Sequence, residues 1–192
     1  MDRSEEKSLI EGALRGEQKS YEALFLSSKD KAFSICIKLL GNREDALDAM
    51  QNGYIKAFRS LSGFKMEAGF DTWLYRIMIN SSNDILRKRR DTILFSELEN
   101  EGEKSENPLE KLAAEEEGPE EQVERKELCG HIEACLSSIA EEYRKILILR
   151  DSEGFSYEDI AEMLDIPIGT VKSRISRARQ EFRSIYNSTE QK

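Results

Sequence analysis

Five basic side chains crowd one short stretch, GTVKSRISRARQEFR, 169–183: Lys172, Arg174, Arg177, Arg179 and Arg183, against the single acid Glu181. Val171, Ile175, Ala178, Phe182 and Ile185 recur there at steps of 4, 3, 4 and 3, the spacing of a helix with one buried stripe. Lys172, Ser173, Arg174, Ser176, Arg177 and Arg179 are left on its other faces. Upstream, Ser156 is an N-cap with Asp159 three residues on, a variant of the capping box. Ile160, Ala161 and Leu164 form the inner face of a short helix. Asp165-Ile166-Pro167 ends it, because the residue before proline avoids helical geometry, and Pro167 suits the opening of the next helix. A short helix, a tight turn and a basic second helix make a helix-turn-helix, whose second helix enters the DNA major groove. The planar fork of arginine takes guanine O6 and N7 together. A solvated basic face on an ordinary helical hairpin has the same periodicity, so the pattern alone leaves both readings open.

A second set of polar residues lies in FDTWLYRIMINSSNDILRKRR, 70–90. Arg76, Asn80, Asn83 and Arg87 follow steps of 4, 3 and 4 and share one helical stripe, while Leu74, Ile77, Met78, Ser81 and Ile85 share the opposite, buried one. Amide and guanidinium donors in one row suit base edges and phosphates. The row runs into Arg87-Lys88-Arg89-Arg90, a phosphate-binding cluster; complementing the helix dipole would explain one or two of these bases. Phe64, Phe70, Trp73 and Tyr75 surround a glycine-containing loop, SGFKMEAGF, 62–70. Exposed aromatics there would stack on unpaired bases, with core packing expected of Phe70 and Trp73.

A third set, Asp45, Asp48, Gln51 and Asn52, lies on one side of another helix; a solvated face is the default for such residues. Cys129, His131 and Cys135 suggest a zinc site, but none is expected, because on a helix residues 129 and 131 point about 200° apart and a fourth ligand is not evident. No metal and no cofactor are expected. The sequence has no P-loop, no dinucleotide-binding glycine motif and no nucleophile–base pair, so enzyme activity is not expected.

All three sets need helices to position them. Tyr21, Leu24, Phe25, Ala32, Phe33, Cys36, Ile37 and Leu40 predict a first helix, stopped by Gly41, with about 18 residues before it. Asn42 caps a second, with Ala46, Ala49, Met50, Gly53, Tyr54, Ala57 and Phe58 inside. Asp71 or Thr72 caps a third, running to about Arg90. Leu128, Ile132, Cys135, Leu136 and Ile139 mark another, and Glu142 to Asp151 the next, ended by Gly154. The fold class is all-α.

Charge divides the chain. It carries 38 acids and 29 bases over 192 residues, a net charge of -9. Thirteen of those acids but only two of the bases lie in 91–124, which therefore carries -11 and leaves the remainder at +2. That segment also holds Pro108, Pro119, Gly102 and Gly118, and reads as a linker. Two small helical domains, 1–90 and 125–192, are thus joined by an acidic linker, 91–124. No apolar run is long enough for a membrane span, and the polar start MDRSEEKSLIEGALRGE does not have the form of a signal peptide. Three cysteines suit reduced thiols. The expected location is the cytoplasm.

FSYEDIAEMLDIPIGTVKSRISRAR, 155–179, resembles region 4 of the extracytoplasmic-function (ECF, group IV) sigma factors, in the sigma-70 family of bacterial RNA polymerase. Gly169 to Arg174 and Arg177-Ala178-Arg179 carry most of that likeness. GNREDALDAMQNGYIKAF, 41–58, is similar to the family's polymerase-docking helix, and 70–90 to its promoter-melting, -10-reading helix. The two sets cover roughly 130 residues in the family's order. The likeness departs at Asn52, where glutamate often follows Gln51, at Asp71, where a base is frequent, and at Asp165, often glycine. The resemblance implies a transcription initiation factor that binds core RNA polymerase through the β′ coiled coil and the β flap. It implies -35 contacts from Lys172, Ser173, Arg174, Arg177 and Arg179. It implies -10 contacts from Phe64, Arg76, Asn80, Asn83 and Arg87, with a flipped base held by the Phe64–Gly69 loop. Asp45, Asp48, Gln51 and Asn52 would dock on polymerase, the linker would thread its RNA channel, and an anti-sigma factor would regulate the protein; from charge alone, a solubilising spacer between two basic blocks fits the linker equally well. A dimeric helix-turn-helix regulator would leave the docking-like helix without a purpose. A mimic that only sequesters an anti-sigma factor would not need the basic helix.

Overall fold

The computed structural model describes residues 2–66, 68–96 and 119–190, and all regular elements among them are helical. The chain divides into two compact units, Met1–Glu106 and Asn107–Lys192. The expected linker lies largely outside the described residues.

In the first unit, α1 (Arg3–Leu14) precedes the helix expected to come first. It forms because Asp2 caps it and Ile10 inserts into the core. Its Glu6 carboxylate accepts the Phe70 N–H at 3.2 Å, so α1 caps an element 64 residues away. α2 (Gln18–Leu40) buries Leu24, Phe25, Ala32, Cys36, Ile37 and Leu40, and ends at Gly41 with φ 65, a left-handed stop that favours glycine. Asn42 caps α3 (Arg43–Ser60), accepting from the Glu44 and Asp45 N–H groups at 2.8 and 3.2 Å. α3 buries Ala46, Ala49, Met50, Gly53 and Ala57. Phe58, expected inside, is 62% exposed. The small residues bring the α3 axis close to its neighbours, and Phe58 lies beside that contact with its ring edge-on to Tyr21 at 4.9 Å.

α4 (Phe70–Ser96) starts one residue before the expected caps and continues past Arg90. Asp71 is not its cap; it accepts the Ser28 hydroxyl at 2.5 Å, while Gly69 supplies the first helical carbonyl. Leu74, Met78 and Ser81 are buried as expected, joined by Tyr75, Ile79 and Ser82. At Gly53, α3 lies close against α4. A Cβ there would overlap Met78 Sδ and lie 3.7 Å from the Met78 Cα. Gly53→Leu is therefore expected to cost about 1–3 kcal/mol by overpacking, read as a lower denaturant midpoint.

Burial pushes the Cys36 thiol up from 9.0 to about 11 and the Tyr54 phenol up from 10.0 to about 12. Between the unfolded and folded values the folded chain holds protons that the unfolded chain has lost. Stability should therefore fall as pH rises from about 9 to about 12. Tyr54 also keeps a buried hydroxyl without a hydrogen-bond partner among the described residues. Tyr54→Phe is expected to raise the melting temperature and flatten the alkaline decline; a lower melting temperature would show that the hydroxyl has a stabilising partner.

In the second unit, α5 (Pro119–Ser138) buries Cys135, with Ile139 buried just beyond it, but leaves Leu128, expected on the same stripe, exposed. Leu128 lies nearly two turns before Cys135, beyond the part of α5 that Ile139 anchors. α6 (Glu141–Leu147) passes into a π turn, Ile148–Ser152, so the helix expected to reach Asp151 changes pitch. Gly154 (φ 75) ends it. α7 (Tyr157–Leu164) and α8 (Ile168–Glu190) follow, packed through Ile160, Met163, Val171, Ile175 and Ala178.

Candidate nucleic-acid interface

α7 begins with the expected capping box: the Asp159 N–H donates to Ser156 Oγ at 3.0 Å and the Ser156 N–H to Asp159 Oδ2 at 3.3 Å. It ends at Asp165, φ 55 and ψ 48. Aspartate is one of the few residues that visit this left-handed region, so the turn forms without glycine. Pro167 then accepts from the Thr170 and Val171 N–H groups at 2.8 and 3.1 Å and opens α8.

The buried stripe of α8 turns Lys172, Ser173 and Arg177 to solvent. Ser173 Oγ donates to the Thr170 carbonyl at 3.0 Å. The two other predicted contacts are engaged within the unit. Arg174 pairs with Glu142 of α6 at 3.0 Å. Arg179 Nε and Nη2 donate to the two Asp151 carboxylate oxygens at 3.1 and 2.5 Å. The Asp151 hydrogen bonds hold the Arg179 guanidinium above its ordinary pKa. Periodicity could not separate Arg174 and Arg179 from Arg177, because their partners lie on other elements.

His131 stacks on Tyr186 of α8 at 4.8 Å. Cys129 is exposed and Cys135 is buried 3.8 Å from Thr189 Oγ1. Among the described residues no group of three or more His, Cys, Asp or Glu converges to hold a metal ion.

On α4, Asn80 and Arg87 are exposed, while Arg76 and Asn83 are half-buried. Asn83 Oδ1 is shielded from solvent and accepts nothing among the described residues. Arg87 pairs with Asp84 at 3.0 Å, and Lys56 of α3 reaches the same carboxylate at 2.9 Å. The Lys56 hydrogen bond, before any other cause, holds the Asp84 carboxyl below its ordinary range. Arg89 leaves the expected phosphate cluster and turns inward, donating to the Leu40 carbonyl at 3.2 Å and pairing with Asp45. Phe64 is half-buried, its ring 5.0 Å from Trp73 and 6.1 Å from Phe70. Met66 in the same loop holds φ 55, an uncommon conformation for its residue type.

The outer face of α3 exposes Asp48, Gln51 and Asn52, whereas Asp45 is half-buried against Arg89. Two members of this face were not foreseen: Leu47 and Ile55, 47% and 44% exposed. They stand one turn on either side of Gln51, off the Ala46-Ala49-Met50-Gly53 stripe, and that spacing was the available signal. Apolar side chains set among carboxylates and amides suit contact with another protein.

Comparison with known proteins gives two family matches: "Sigma-70 region 2" over residues 24–92 and "Sigma-70, region 4" over 130–182. The chain is 33% identical over 184 residues to the RNA polymerase sigma-H factor of Pseudomonas aeruginosa, covering 94% of this chain and 93% of that protein. It is 31% identical over 177 residues to the ECF RNA polymerase sigma factor SigW of Bacillus subtilis, covering 92% and 94%. Among solved structures, it resembles the sigma factor RpoE in complex with the anti-sigma factor NepR from Bartonella quintana. That match has a TM-score of 0.68 at 24% identity, over 88% of this chain and 98% of that one. CnrH in complex with the cytosolic domain of CnrY matches with a TM-score of 0.67 at 20% identity, over 96% and 98%.

Proposed function

The chain belongs to the sigma-70 family of RNA polymerase sigma factors, in its ECF class, and on that premise we propose how its residues share the work. It is a transcription initiation factor and not an enzyme. It directs core RNA polymerase to specific promoters and starts transcription through -35 and -10 recognition and -10 melting. Residues 1–90 serve docking and melting, 125–192 serve -35 recognition, and 91–124 links them.

Docking uses the outer face of α3: Asp48, Gln51 and Asn52 around an apolar centre of Leu47 and Ile55, meeting the β′ coiled coil. Asp45 acts from behind that face by holding Arg89. The -10 element meets Asn80, Asn83, Arg76 and Arg87 on α4, with Phe64 beside the flipped base. Lys172, Ser173 and Arg177 reach the -35 element; Arg174 and Arg179 add positive charge beside it. Region 4 also meets the β flap. An anti-sigma factor controls the protein, a proposal supported by the partners named in the two similar complexes. No described helix is long and apolar enough to cross a membrane, and we place the protein in the cytoplasm with its polymerase.

The observation that carries this division is the exposure of two unlike faces on one chain, a basic one on α8 and an apolar–acidic one on α3. A dimeric helix-turn-helix regulator needs only the first. The test is in vitro transcription with core polymerase and a promoter library. RNA from defined start sites is expected; output no greater than that of core alone would overturn the reading.

A further inference from the structure

One irregular turn fastens both helices of the helix-turn-helix. Ile148–Ser152 winds as a π turn, a form that often marks functional sites. Arg150 and Asp151 are neighbours on it and serve different elements. Arg150 Nη1 donates to the Phe155 carbonyl at 2.6 Å, and its guanidinium lies 4.8 Å over the Tyr157 ring at the start of α7. Asp151 receives both arms of Arg179, 28 residues away on α8. Arg174, nearer the start of α8, has a single-contact pair to Glu142. The Arg179 and Asp151 side chains are 49% and 42% exposed, so their pair adds little stability. A bidentate pair also fixes direction, which a point charge does not. With Nε and Nη2 given to Asp151, Arg179 can offer a base its full fork only by releasing that carboxylate.

We propose that Asp151 is a positioning residue for -35 reading: through Arg179 it sets the angle at which α8 presents Lys172, Ser173 and Arg177, and Arg179 itself reads no DNA. This rests on the sigma-factor assignment above. The π turn then acts as the common anchor of α7 and α8.

The test uses the full chain with core polymerase on two promoters, one with the -35 element and one with it scrambled. The ratio of their transcripts measures -35 stimulation. Asp151→Ala and Arg179→Ala are each expected to lower that ratio about three- to fivefold, the size of an exposed ion pair. The double variant should lose no more than either single one. Arg179→Lys should fare as badly as Arg179→Ala, because an ammonium cannot reproduce the fork. Output from the scrambled promoter should stay unchanged, and the thermal midpoint should fall by no more than about a few degrees. The proposal falls if Asp151→Ala is neutral and Arg179→Lys keeps activity while Arg179→Ala lowers the salt slope of binding by about 0.9, the mark of a phosphate contact. It falls too if the losses add, or if both promoters suffer equally. A wild-type protein that yields no start-site-specific RNA would overturn the sigma assignment itself, a separate outcome.

Discussion

Asp48→Arg is expected to weaken assembly with core polymerase by about thirtyfold or more, the equivalent of about 2 kcal/mol at an interface hot spot. Asp48 is exposed on α3, beside Leu47 and Gln51, and carries no internal ion pair among the described residues. Reversing its charge leaves the core of the unit untouched, so circular dichroism should not change. The loss would come from a like-charge clash at a partly desolvated contact, and no premelted promoter should restore it. Asn80→Ala is the counterpart on α4. It should leave core binding intact and weaken open-complex formation, because a base edge loses its partner at about 1–3 kcal/mol. A promoter mismatched across -10 removes the unpairing cost but not the lost contact, so rescue should be partial. A core pull-down and permanganate footprinting read the two tasks separately. Loss of core binding in Asn80→Ala with normal binding in Asp48→Arg would reverse the assignment of docking and melting.

Arg177→Ala is expected to cost about 1–3 kcal/mol in -35 binding and to relax base preference at one position. Lys172→Ala should instead weaken binding almost uniformly across sequences and reduce the salt slope by about 1. Arg174→Ala should do less than Arg177→Ala, because Arg174 begins from an ion pair with Glu142 whereas Arg177 forms none among the described residues. Selection from a randomised -35 library, repeated at two salt concentrations, measures all three. A larger loss of preference in Arg174→Ala than in Arg177→Ala would show that the Glu142 pair opens on DNA, and the division of α8 into reading and held residues would fail.

Much of this protein follows from local rules. The capping box at Ser156, the stop at Gly41, the Asn42 cap and the stripes of α3, α4 and α8 each depend on residues within a few positions of one another. Backbone geometry and 3.6-residue periodicity are local, and so they were legible. The exposed polar stripes follow by subtraction from the buried ones, which is why the exposure of Asn80, Asp48, Gln51, Lys172 and Arg177 was legible. What escaped depends on contacts between distant residues. α1 has few apolar residues, and its role appears only where Glu6 meets Phe70. Phe58 has the right spacing for the core, yet the close approach of α3 to α4 at Gly53 leaves it outside. Arg89 belongs to a basic run but is drawn inward by Asp45 and the Leu40 carbonyl. Composition and period therefore determined helices, faces and family resemblance, whereas tertiary structure decided which charges stay free. A guanidinium on a helix surface can be solvated or paired at little difference in free energy, and only the position of a carboxylate on another element settles which.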